Sequence, residues 1–118
     1  MAASGLDMGP ETVTVMAAAQ GRCGRWDKVK EVLEIAEQKD VKLNDGDVFE
    51  IIHALCEAGL EIEAREMVGK LPKKRGYFQE MRSALPQIIF TGCIDVALEI
   101  FFAFKVRFYH SEILNMIS

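Results

Sequence analysis

The chain has 118 residues, half of them apolar and 27% charged, with a formal net charge of −4. That length is one domain's worth, and that apolar share excludes disorder over most of it. The acidic balance argues against a strong free-standing nucleic-acid binder, though not against a local basic strip. No apolar run reaches the roughly 18 residues that a bilayer span requires.

Residues 1–9 are small and polar and are expected to be a disordered N-terminus. The start shows neither an Arg-rich amphipathic leader nor a charged-then-apolar signal sequence. Pro10 suits the first position of a helix, where its missing N–H costs nothing. A helix follows to a glycine turn at Gly24. A second carries Val29, Val32, Leu33 and Ala36 on one face, up to a polar loop over 39–46. Asn44 or Asp45 can cap the next helix, which presents Val48, Phe49, Ile52, Leu55 and Cys56 inward. It ends at Gly59, and a fourth helix uses Ala64, Met67, Val68 and Leu71.

After the Pro72–Gly76 loop, a fifth helix carries Met81, Ala84, Leu85, Ile88 and Ile89. Pro86 lies within it and is expected to kink or shorten it. It turns at Gly92 into a sixth helix with Ala97, Ile100, Phe101 and Phe104. Ser111 can cap a last helical segment using Ile113, Leu114 and Ile117. No stretch alternates convincingly enough for a strand.

The glycines give away a repeat. Gly24 and Gly59 are 35 residues apart, and Gly59 and Gly92 are 33 apart. After each glycine the apolar positions fall at offsets 5, 8, 9 and 12, which is one face of a helix. Each glycine fits the left-handed position that ends a helix. The expected fold is therefore all-α, about three stacked helical hairpin repeats over 10–44, 45–77 and 78–104, with a divergent helical segment over 105–118. Three cysteines, Cys23, Cys56 and Cys93, are widely spaced with no CxxC, which argues for free, mostly buried thiols rather than a disulfide framework or zinc site.

The segment from Val48 to Met67, with its Leu55-Cys56-Glu57-Ala58-Gly59 turn, resembles the pentatricopeptide repeat family. The Trp, Leu-Gly and Tyr pattern of tetratricopeptide units is missing. The resemblance implies a pentatricopeptide-type α-solenoid that binds single-stranded RNA at about one base per repeat. It further implies support of mitochondrial mRNA stability, polyadenylation or translation, and a small RNA-recognition-motif protein as partner. It places the chain in the mitochondrion, with the nucleus as a second location, and implies a fragment of a longer protein.

Carried onto this chain, the family's base readers fall on Thr14 and Asn44 in the first repeat. They fall on Phe49 and Tyr77 in the second, and on Arg82 in the third. Tyr77 can stack on a base. Thr14 and Asn44 also have plainer readings, as a helix-surface residue and an N-cap. The positions for a base-sandwiching aliphatic residue hold Glu11, Gly46 and Gln79, a departure from the pattern. Lys73, Lys74, Arg75 and Arg82 are the candidates for phosphate contact; a solvated loop is the plainer reading of that cluster.

Catalysis finds no constellation. His53 and Cys56 share a helix face, but nothing supplies an activated thiolate or an orienting third group. There is no phosphate-binding glycine loop, GxSxG or HExxH. The expectation is a non-enzyme with no cofactor, no metal, no membrane association and no small-molecule substrate. The alternative function is a helical-repeat scaffold for protein–protein interaction.

Overall fold

The computed structural model describes residues 9–71 and 77–105, with the side chains of 77–80 and 103–105 left aside. Six helices and no strand occur among the described residues: α1 Pro10–Arg22, α2 Trp26–Gln38, α3 Asp45–Glu57, α4 Glu61–Val68, α5 Tyr77–Phe90 and α6 Ile94–Lys105. The segments around Ser111, and the Lys73, Lys74 and Arg75 cluster, lie outside the described residues.

The helix ends follow from local chemistry. Gly9 precedes α1 in extended backbone, and Pro10 takes the first helical position. Asn44 caps α3: its side-chain oxygen accepts from the Asp47 N–H at 2.8 Å, while the Asn44 N–H donates to Asp47 Oδ2 at 3.1 Å. This reciprocal box satisfies two donors that a helix start otherwise leaves open. Asn44→Ala is expected to cost about 1 kcal/mol, read as a lower urea midpoint at unchanged slope.

Three glycines adopt positive φ: Gly24 at 76°, Gly59 at 78° and Gly92 at 90°. The first two close the same way. Arg25 N–H donates to Gln20 O and Gly24 N–H to Gly21 O; Leu60 N–H donates to Leu55 O and Gly59 N–H to Cys56 O. These are Schellman ends. The third turn recruits a side chain instead, with the Thr91 hydroxyl donating to Ile88 O at 2.6 Å and accepting from Cys93 N–H at 3.4 Å. Asp40, with φ 56°, does for the end of α2 what glycine does elsewhere.

Each short turn lays one helix against the next. α1 packs on α2, α3 on α4 and α5 on α6, while α1 also packs on α3, α3 on α5 and α4 on α6. The α3 helix is thus enclosed from both sides. Ile51 and Ala54 are buried there together with Val48, Phe49, Ile52, Leu55 and Cys56. A one-face reading of α3 missed the first two. On the second helices Val29, Val32 and Ala36, then Ala64, Met67 and Val68, then Ala97 and Ile100 are buried as the offsets predict, while Leu33 and Phe101 are half-buried and Leu71 is buried just past the end of α4.

Two expectations for α5 differ in the structure. The helix runs on through Pro86 to Phe90 instead of stopping short. Ile89 is 47% exposed rather than inward, because among the described residues α5 has α3 on one side and no helix opposite it. Between α2 and α4 the packing opens into a cleft of about 500 Å³, lined by Trp26, Leu33, Val41 and Met67 among others.

Close approach of α1 and α3 depends on Gly21. A Cβ there would meet Leu55 Cδ2 at 3.3 Å and Ala54 Cβ at 3.6 Å. Two arginines tie successive helix pairs across these seams: Arg22 Nε to Glu57 Oε1 at 3.0 Å, and Arg65 Nε to Glu99 Oε2. Both pairs are about half exposed, so they contribute little stability and serve more to set register.

Candidate nucleic-acid interface

Of the residues chosen from sequence as base readers, Thr14, Asn44 and Phe49 are occupied locally. Thr14 is 3% exposed, and its hydroxyl donates to Pro10 O at 2.7 Å, one helical turn back. It presents no free polar group, which corrects its reading as a base contact. The polar side-chain atoms of Asn44 are committed at least in part to the α3 cap described above. Phe49 is core at 3% exposure. Tyr77 opens α5, but its side chain, like Lys73, Lys74 and Arg75, lies outside the described residues. Arg82 is exposed on α5 and borders an apolar groove with Leu85 and Ile89.

What sequence reading passed over is the turn from α1 to α2. Arg22, Arg25, Lys28 and Lys30 are all exposed there. Arg25 stands at the N-cap of α2 with no side-chain cap. Lys30 Nζ lies 6.0 Å from the Trp26 ring centroid, a cation–π contact that holds it near the start of the helix. Lys28 is 3.8 Å from Glu31, and Arg22 is held by Glu57. Four cations within nine residues was the available signal, masked by the larger acidic total of the chain. Asp27 is exposed among these cations in the first turn of α2, and the rest of the helix carries Glu31, Glu34 and Glu37 outward, so the net positive region is confined to one end.

The face of α1, α3 and α5 forms a second groove, of mixed polarity, lined by Arg22, Glu50, His53, Ser83 and Gln87 among others. His53 Nδ1 lies 4.0 Å from Glu57 Oε1. The neighbouring Cys56 is buried, and its thiol is pushed up to about 12 by that burial first and by Cys93 second. Cys93 Sγ donates to the Cys56 carbonyl at 3.6 Å. A thiol so held is protonated at neutral pH, the opposite of an activated nucleophile. Among the described residues no His, Cys, Asp or Glu side chains gather in threes to hold a metal ion, and no helix is long and apolar enough to cross a membrane.

A family model described as the MCM protein C-terminal winged helix-turn-helix domain matches residues 10–70, just over half of the chain. The matched span takes in α1 to α4 and contains no strand, so it is represented here by helices and turns alone. No curated protein and no solved structure matches the chain significantly.

Proposed function

We propose a function from one premise: the chain belongs to the family of MCM protein C-terminal winged helix-turn-helix domains. Membership overturns the pentatricopeptide reading. With it go single-stranded RNA as the ligand, a role in mitochondrial mRNA maintenance and the small RNA-recognition-motif partner. The scaffold alternative was built on the same repeat and gives way too. The misreading has a physical cause. A helix closed by a positive-φ glycine and followed by an amphipathic helix satisfies the same backbone and burial demands in any helix-turn-helix, whatever its family.

The chain then acts as a non-catalytic module of a protein related to replicative DNA helicases, and it contacts DNA through the α1–α2 turn. The observation that carries this is the cluster of Arg22, Arg25, Lys28 and Lys30 where the matched span begins its second helix. Cations beside helix N–H groups suit phosphate oxygens. The outward glutamates further along α2 repel the backbone, so α2 does not lie along a groove to read bases. The contact positions DNA without specifying sequence, and the net charge of −4 keeps it weak. This reading concerns the α1–α2 region alone and leaves the α5–α6 end of the molecule unassigned.

The test is a fluorescence-anisotropy titration of the full chain against a short DNA duplex at two salt concentrations. Binding should weaken with salt. The double substitution Arg25→Glu and Lys28→Glu should lower affinity at least about tenfold and flatten the salt slope by about two. No binding at low salt, or equal affinity in the variant, removes the DNA reading.

A further inference from the structure

The α5–α6 pair has an outer face that no described helix covers. A groove of about 540 Å³ runs along it, lined by Arg82, Leu85, Ile89, Ile94, Leu98 and Phe101 among others. Exposure is high for the apolar side chains along it: Ile94 is 49% exposed, Ile89 47% and Leu98 45%. A contiguous apolar face of this kind marks an interaction site more often than scattered surface hydrophobics do.

We propose that this face docks a second copy of the same chain, head to tail, through the outer stripe of the second copy's α1. The internal seams show what fits. α1 lies on α3 and α3 on α5, and each step buries an apolar stripe of the first helices. The outer side of α5 is the next position in that series. The outer side of α1 is the matching free surface at the other end.

On α1, Val13, Ala17 and Gly21 are buried four residues apart. Glu11, Val15 and Ala19 repeat at the same spacing and are exposed. An offset of two residues is about 200° around a helix, so this second stripe points away from α3. Val15 is 62% exposed and its neighbour Met16 43%.

Charge fits the same arrangement. Each internal seam is crossed by an arginine from one helix pair meeting a glutamate of the next: Arg22 with Glu57, and Arg65 with Glu99. On the outer face of α5, Arg82 borders the groove, and among the described residues no carboxylate pairs with it. If the stack continues in register, α1 of the second copy runs alongside α5 in the same direction. Glu11, in the first turn of α1, then lies within about one turn of Arg82, in the second turn of α5. Because the two surfaces differ, the contact is heterologous, and each dimer keeps one free stripe and one free groove for further copies.

Sedimentation of the full chain over a micromolar concentration series tests this. The wild type should form dimers and higher species as concentration rises. Val15→Glu spoils the donor stripe, and Leu98→Glu spoils the groove. Each variant alone should remain monomeric. An equimolar mixture should form a dimer and nothing larger, since one intact stripe and one intact groove remain between the two copies. Both residues are exposed, so helicity by circular dichroism should match the wild type; Ile94→Glu serves as a second groove variant. A wild type that stays monomeric, a variant that still self-associates, or a mixture that stays monomeric overturns the proposal.

Discussion

Leu55→Ala is expected to lower the unfolding free energy by about 2–5 kcal/mol, against a total of about 5–15 for a domain of this kind. Leu55 has no exposed surface and stands where Gly21 brings α1 against α3. Removing it loses apolar burial. It also leaves a hole that neighbouring side chains cannot fill without sliding one helix along the other. α3 packs against α1, α4 and α5, so a defect at Leu55 reaches both of the helix pairs that flank its own. Urea denaturation should show a lower midpoint with an unchanged slope. Ile62→Ala, at a residue 74% exposed on α4, provides the control, with an effect within about 0.5 kcal/mol. A Leu55→Ala variant as stable as that control would mean that the α1–α3 seam is not closely packed.

The second large effect is a loss of stability in base that depends on Cys56. Its thiol is pushed from 9.0 to about 12 by burial, with Cys93 adding to the rise. In the unfolded chain the thiol ionises near its ordinary value. In the folded chain it stays protonated until about three pH units later. The unfolded state therefore releases its proton first, and stability falls as pH rises. The contribution is complete below about pH 9 and is lost as pH climbs to about 12. The slope approaches 1.4 kcal/mol per pH unit within that window. Other groups also titrate there, so the reading is the difference between wild type and Cys56→Ala. The variant should lose stability more gradually above pH 9, whatever its stability at neutral pH. Identical pH slopes would mean that the folded thiol ionises as freely as the unfolded one.

Sequence periodicity reported what depends on neighbours close in the chain. Pro10 at a helix start, Asn44 as a cap and Gly24, Gly59 and Gly92 at turns are local backbone solutions, and each is legible from a few residues. The buried stripes on α2, α4 and α6 are legible for the same reason: a helix with one covered face must repeat its apolar positions every three or four residues. Family and ligand were not legible in this way. The leucine, cysteine, alanine and glycine around Leu55 to Gly59 answer to burial and to positive φ, and those needs are common to unrelated helical hairpins.

Thr14 gave way as a candidate for a related reason. Thr14 was chosen by its position in a pattern, and only the fold reveals that its hydroxyl is spent on Pro10 and its surface covered. Arg25, Lys28 and Lys30 were passed over because net charge averages over the whole chain, whereas a phosphate senses charge within about a Debye length.

The sequence by itself determined that the described residues form helices and turns alone, where those helices turn, and which face of each second helix is buried. Hydrogen bonding and apolar spacing act over a few residues, so they are written locally. The tertiary structure alone decided that α3 is enclosed on two sides, that Ile89 and Phe90 face outward, and that Arg22 meets Glu57 and Arg65 meets Glu99 across the seams. Each of these depends on which helix lies beside which, and that contact joins residues 30 or more positions apart in the chain.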